Sequence, residues 1–282
     1  MTQQASNTPP VVLAVAGLDP SGGAGLVADV RTLAAFGCYA CAAVTSVTFQ
    51  NTAGYYGAEH QSAASLRAQV LPVLDDLKVA AWKTGMLPTR EIVEEVARLA
   101  RETSLRDAPL VVDPVVRSTT GSDLIGGDAL AALRSELLPL ARVATPNVPE
   151  AERITGMKIE SGDDLLRAAR MMRGMGARAV LVKGGHSAGA QAVDVLDDGG
   201  EITYFTAQRV DAGETHGTGC TLASAIAACL ARRLALDDAV GVAKRFVTEG
   251  LRRASRVGHG ASPVSQAVAV EFTERGVRVA GE

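Results

Sequence analysis

The chain is predicted to be an α/β protein built on a mostly parallel central sheet with helices on both faces. Short apolar runs rich in β-branched residues, such as Val11-Val-Leu-Ala-Val-Ala16, recur along the chain. Helical segments, amphipathic or Ala-rich, alternate with them. Many of the runs are continuously apolar rather than alternating, as strands covered on both faces are. Strand alternating with helix gives a parallel sheet, because a parallel return needs a crossover. In such sheets ligands bind outside the carboxyl ends of the strands.

Val11 to Ala16 is the first strand, and Gly17-Leu-Asp-Pro-Ser-Gly-Gly-Ala-Gly25 is a Gly-rich turn leading into a helix. Leu26, Val30 and Leu33 are expected to form the apolar stripe of that helix. Asp29 falls on the same stripe, and a carboxylate aimed at a core needs a partner. It is either a structural hydrogen-bond acceptor or a group facing a pocket. Tyr39 to Phe49 reads as a strand ending in Gln50-Asn-Thr52, and Ser62 to Leu77 as a helix despite Pro72. Val79-Ala-Ala-Trp-Lys-Thr84 is a strand ending at Gly85-Met86. Thr89 is an N-cap candidate for a helix to Arg101, with helical spacing through Ile92, Val93, Val96 and Leu99.

Leu110-Val-Val112 is a strand closed by Asp113-Pro114, followed by the polar stretch Arg117 to Ser122 and a helix from about Asp128 to Leu138. Val143-Ala144 is a brief strand before Thr145-Pro-Asn-Val-Pro-Glu150, where Pro149 suits a first helical position. Ser161 to Met175 is helical, and Ala179 to Val182 is a strand ending at Lys183-Gly-Gly185. Ala192 to Leu196 and Glu201 to Val210 read as a hairpin around Asp198-Gly-Gly. A second Gly-rich turn, Asp211-Ala-Gly-Glu-Thr-His-Gly-Thr-Gly-Cys220, runs into an Ala-rich helix, and a long helix follows from about Leu236 to Val257. Val268 to Val279 alternates around Gly276, the pattern of a small hairpin or an edge strand, with a frayed tail as the alternative.

The 282 residues are 47% hydrophobic and 21% charged, with a net charge of −3 and no basic cluster, so no nucleic-acid surface is expected. No uncharged apolar run reaches membrane-spanning length, and residues 1–10 lack a signal pattern. A cytoplasmic protein with a flexible segment 1–10 is expected. Cys38, Cys41, Cys220 and Cys229 are scattered. Cys38-x-x-Cys41 has no second pair to complete a zinc set, so those two cysteines are expected to pack in the core.

The second Gly-rich turn carries the chemistry. Gly213, Gly217 and Gly219 free the backbone, and the helix start leaves N–H groups unpaired. With the macrodipole these make an anion site. Cys220 sits in the first turn, where a thiol pKa tends to be lowered. Asp19, Gln50, Asp113, Asn147, Lys183 and Cys220 all fall at strand or turn ends on one edge of the expected sheet. Singly each is an ordinary turn residue. Together with two Gly-rich helix starts they point to a phosphate-handling active site.

Gly17 to Gly25, Gln50-Asn-Thr52, Lys83-Thr-Gly-Met86, Asp113-Pro-Val115, Thr145 to Ala151, Lys183-Gly-Gly-His186 and Thr215-His-Gly-Thr-Gly-Cys-Thr221 stand in order along the chain. In these motifs it resembles the hydroxymethylpyrimidine/phosphomethylpyrimidine kinase family of the ribokinase-like superfamily. The resemblance implies one ribokinase-like domain over 11–263, with 264–282 as an extension, and a homodimer. It implies transfer of the ATP γ-phosphate to 4-amino-5-hydroxymethyl-2-methylpyrimidine and then to its monophosphate, in thiamine biosynthesis, with Mg²⁺. Gly217, Thr218 and Gly219 would donate N–H groups to the transferring phosphoryl oxygens. Cys220 takes the position where related sugar kinases carry an aspartate base, and would accept the hydroxyl proton or orient that hydroxyl.

By the same resemblance Lys183 would offset phosphate charge. Asn147 and Glu150 would meet Mg²⁺ through water, with Asp113 a second metal candidate. Gly17, Ala24, Asp29, Gln50, Met86 and Val115 match the pyrimidine pocket. His186 and His216 are given no catalytic role. One departure is that many relatives carry Ala-Lys-Ser-Gly where this chain has Ser118-Thr-Thr-Gly121. The lysine's phosphate contact is lost, or replaced by Thr119, Thr120 or Arg117. Pyridoxal kinase activity is the nearest rival, and a catalytically silent ligand-binding module the more distant one.

Overall fold

A computed structural model describes residues 8–117, 121–185, 191–274 and 276–281. Thr119, Thr120 and His186, singled out above, lie outside the described residues, as do the first seven residues. The chain begins β1 (Val11–Leu18), α1 (Gly25–Ala35), β2 (Tyr39–Gln50), β3 (Tyr55–His60), α2 (Ala63–Asp76), β4 (Val79–Thr84) and α3 (Arg90–Glu102). It continues through β5 (Leu110–Val112), α4 (Gly127–Ala132), β6 (Val143–Ala144), α5 (Val148–Thr155), α6 (Gly162–Gly174) and β7 (Ala179–Lys183). The hairpin β8 (Gln191–Asp198) and β9 (Glu201–Gln208) follows, then β10 (Thr215–His216), α7 (Thr218–Ala231) and α8 (Leu236–Arg252). Last come β11 (Ser262–Pro263), β12 (Val270–Thr273) and β13 (Gly276–Val279).

Nine strands form one sheet in the order β3-β2-β1-β4-β5-β6-β7-β8-β9. The strands from β2 across to β7 run parallel, and β3, β8 and β9 close the two edges antiparallel. The alternation of side chains along each strand sorts the core into two layers. Leu13, Val15, Trp82, Val112 and Val180 face α2 to α6. Val12, Val111, Val143 and Leu181 face α7 and α8, with Leu33 of α1 in the same layer. Both faces are therefore dry, and the open surface of the sheet is the carboxyl edge of its parallel strands.

Several local expectations shift for physical reasons. Val30 is 37% exposed, so the inner stripe of α1 is Leu26, Asp29 and Leu33. α8 stops at Arg252 instead of reaching Val257. Asn147 is the N-cap of α5, which makes Pro149 its second residue. α4 keeps regular α geometry only to Ala132 and passes through wider and tighter turns to Leu140. Pro139, with no N–H to donate to Ser135, enforces that change. β3 was not anticipated; its Tyr-Tyr-Gly-Ala-Glu-His sequence is short and half-exposed.

The segment after Pro263 is not a frayed tail. β12 and β13 pair antiparallel, and Val268 and Val279 are buried in the α7/α8 layer. The Phe272 ring centroid lies 6.2 Å from that of Phe36, and the Arg232 guanidinium sits 4.2 Å above the same ring. Phe272→Ala is expected to lower stability by about 1–3 kcal/mol in urea denaturation with little change in turnover. An unchanged urea midpoint would show that the hairpin contributes nothing to the core.

Candidate active site

A cleft of 1230 Å³ opens along the carboxyl edge of the sheet. The turn after β1 and the turn before α7 form its floor. Gly217 is the N-cap of α7 at φ 86°, with no side-chain cap, so the first N–H groups of the helix are left for a ligand. A Cβ at position 217 would collide with the Gly23 carbonyl of the other turn, so only glycine lets the two turns close on each other. At Gly219 a Cβ would come 3.1 Å from Lys183 Nζ and 3.5 Å from Asp113 Oδ2. Its absence lets charged groups approach the helix start.

Asp19 stitches the turns together. Its carboxylate accepts from Ser21 N, Ser21 Oγ and Ala24 N at 2.7–2.9 Å, and lies 3.0 Å from His216 Nε2. Burial works to raise this carboxyl, but the hydrogen bonds from His216 and Ser21 outweigh it and hold the pKa at about 2. Beside the start of α7 Lys183 Nζ donates to Asp113 Oδ1 at 3.1 Å and stands 4.0 Å from Glu150 Oε2. Thr145 Oγ1 also donates to Asp113 Oδ1, at 3.1 Å. Asn147 and Glu150 form a reciprocal capping box on α5, through bonds of 2.8 and 2.9 Å. Burial raises the Glu150 carboxyl to about 7 against the opposing pull of Lys183.

Gly17, Ala24, Gln50, Met86, Val115, Asp113, Asn147, Glu150, Lys183 and Gly217 to Cys220 all line this one cleft. Asp29 does not. It is wholly buried, with Lys83 Nζ 2.9 Å from both carboxylate oxygens and Ser224 Oγ 2.8 Å from one of them. The partner that its position demanded is a lysine and not a ligand. Cys220 also departs from expectation. Its thiol is pushed up to about 12, because burial outweighs the pull of Lys83 and of the Gly25 N–H. A helix start lowers a thiol pKa only where the sulfur keeps enough solvation.

Sequence reasoning passed over Lys244, Thr248 and Leu251, which line the cleft from one face of α8. Their i, i+4 and i+7 spacing was legible as a stripe, but a stripe does not say what it faces. Among the described residues no cluster of three or more His, Cys, Asp or Glu side chains could hold a metal by itself. No described helix is long and apolar enough to cross a membrane.

The phosphomethylpyrimidine kinase family model matches residues 19–265. The chain is 47% identical over 257 residues to the hydroxymethylpyrimidine/phosphomethylpyrimidine kinase of Streptomyces coelicolor, covering 91% of this chain and 94% of that one. A phosphomethylpyrimidine kinase structure from Clostridium difficile 630 matches with a TM-score of 0.75 at 36% identity, over 85% of this chain and 98% of that one. The pyridoxal kinase of Staphylococcus aureus, in complex with AMP-PCP and pyridoxal, matches with a TM-score of 0.85 at 28% identity. That match covers 96% of this chain and 98% of the other.

The depressed Asp19 carboxyl has a pH consequence. Its stabilising effect is fully present above about pH 4, the unfolded value, and is lost as pH falls toward the folded value of about 2. Asp19→Asn is expected to remove about 2 kcal/mol of this acid-sensitive stability, flattening urea midpoints measured from pH 5 down to 2. A variant whose acid limb parallels the parent's would assign that sensitivity elsewhere.

Proposed function

The chain belongs to the phosphomethylpyrimidine kinase family, and from that premise we propose how its cleft performs the phosphorylation. It is an ATP-dependent kinase with a ribokinase-like fold. Its substrates are 4-amino-5-hydroxymethyl-2-methylpyrimidine and the corresponding monophosphate, which it converts to the diphosphate in thiamine biosynthesis. The observation that carries the mechanism is the uncapped start of α7 set against the Lys183, Asp113 and Glu150 group. Phosphoryl transfer needs in-line positioning and neutralisation of charge more than covalent chemistry.

In this reading the N–H groups of Gly217, Thr218 and Gly219 take the oxygens of the transferring phosphoryl group. The Lys183 ammonium keeps its charge, since Asp113 and Glu150 outweigh the cost of burial, and it meets the phosphates beside the same helix start. Asp113 and Glu150 suit Mg²⁺, which binds through one or two carboxylates together with phosphates and waters. Both carboxylates line the cleft beside Lys183, where phosphates would also arrive. When bound, the ion would offset the charge of the ATP phosphates. Asn147, already spent on capping α5, holds Glu150 in place.

Cys220 stays a thiol at neutral pH, so it orients the substrate hydroxyl through its sulfur and does not strip the proton as a thiolate. That suffices in a loose transition state, where the hydroxyl keeps its proton until late and passes it to an oxygen of the transferred phosphoryl group as the O–P bond forms and the bond to ADP breaks. Cys220→Ala is expected to lower kcat about 10²-fold through loss of orientation. Circular dichroism checks the fold, and near-native turnover would remove Cys220 from the reaction.

Gln50, at the end of β2, selects the pyrimidine. An amide offers a donor and an acceptor side by side, matching a ring nitrogen beside an exocyclic amine. Pyridoxal has no such paired edge. Assays with ATP and each alcohol test the function directly. Gln50→Leu is expected to cost about 1–3 kcal/mol, or about 5- to 150-fold in kcat/KM, for the aminopyrimidine and less for pyridoxal. An equal loss for both alcohols, or none, would place the selection elsewhere.

A further inference from the structure

Lys83 is the one fully buried lysine among the described residues, and it lies beneath the cleft without lining it. Lys83 and Asp29 are both 0% exposed. Removing two charges from water costs several kcal/mol per ion, and an apolar pair of similar volume often stabilises a fold at least as well. Stability alone is therefore a weak reason for a lysine inside the apolar strand β4.

Its location supplies a better one. Lys83 lies near the carboxyl end of β4, Asp29 sits in the second turn of α1, and Ser224 sits in α7. Ser224 is four residues after Cys220, one turn along the same helix face. Both helices start at the Gly-rich turns that floor the cleft. The chain of contacts runs from Lys83 Nζ to Asp29 at 2.9 Å and from Ser224 Oγ to Asp29 Oδ1 at 2.8 Å. The Lys83 tip fills the space under Gly85, where an added Cβ would come within 2.8 Å of Nζ. Asp113 and Cys220 both feel its charge.

We propose that Lys83 is a positioning residue for the phosphoryl transfer. Through Asp29 and Ser224 its ammonium fixes the depth and rotation of the first turn of α7, which carries Cys220 and the anion-binding N–H groups. This rests on the kinase reading above. Apolar packing is non-directional, whereas a charged hydrogen-bonded strut holds a helix to one rotation. An error of about 1 Å in such a site costs about 10²-fold in rate.

The experiment compares the parent, Ser224→Ala, Lys83→Met and the double variant Lys83→Met with Asp29→Leu. Lys83→Met leaves Asp29 buried and unpaired, so its melting temperature should fall. The double variant removes both charges and should recover it. In the double variant kcat is expected to stay down about 10- to 100-fold while KM for ATP moves less than about threefold. In Ser224→Ala, which keeps both charges and cuts the link to α7, kcat is expected to fall about 5- to 10-fold. Recovery of kcat together with the melting temperature means that the pair is only structural and overturns the proposal. Full kcat in Ser224→Ala also overturns it, and decides the matter alone if the double variant does not fold. A parent that fails to phosphorylate the aminopyrimidine alcohol refutes the kinase reading instead.

Discussion

Two helix starts, those of α1 and α7, are held against each other at one edge of the sheet, and the rest of the site depends on that contact. Neither helix has a side-chain cap. Each presents the positive end of its dipole, so the pair should repel unless negative charge lies between them. The backbone approach at Gly217 and Gly23 brings them together, and the Asp19 carboxylate binds the Ala24 N–H and the His216 ring from between.

Environment sorts the acids around this point into different states. Asp19 is 2% exposed and Glu150 6%, yet one is held at about 2 and the other raised to about 7. Hydrogen bonds concentrated on the Asp19 carboxylate outweigh its burial. Glu150 spends one oxygen on the Asn147 N–H and stands 4.0 Å from its cation, so burial prevails. The same contest decides Cys220, whose helix-start position favours the thiolate less than burial disfavours it.

The two lysines near the carboxyl ends of β4 and β7 are partnered differently. Lys183 is shared between Asp113 and Glu150, while Lys83 stays locked to Asp29 below. Lys183 lines the cleft, and Lys83 is not part of its lining. The Lys183 side chain keeps 13% exposure beside the buried Asp113 and Glu150, whereas Lys83 and Asp29 are both sealed from solvent.

The amino-acid sequence by itself determined the layering of the sheet, because continuously apolar strands such as Val11 to Ala16 cannot be left open on either face. It also placed the cleft, since Asp19, Gln50, Asp113, Asn147, Lys183 and Cys220 all end strands or turns on the one edge where parallel strands leave their carboxyl ends. Local pattern sufficed for these, because each depends on neighbours a few residues away. Partnership across the chain did not show. Asp29 on an apolar stripe and Lys83 in an apolar strand each signalled an unmet need, but they are 54 residues apart, and only the fold, with α1 packed on β1 and β4 paired beside β1, made them a pair. The state of the Cys220 thiol was settled in the same way. A helix start is a local feature, whereas the burial that overrides it is a property of the folded chain, and Lys83, Asp29, Asp113 and the Gly25 N–H act on the sulfur from distant parts of the sequence.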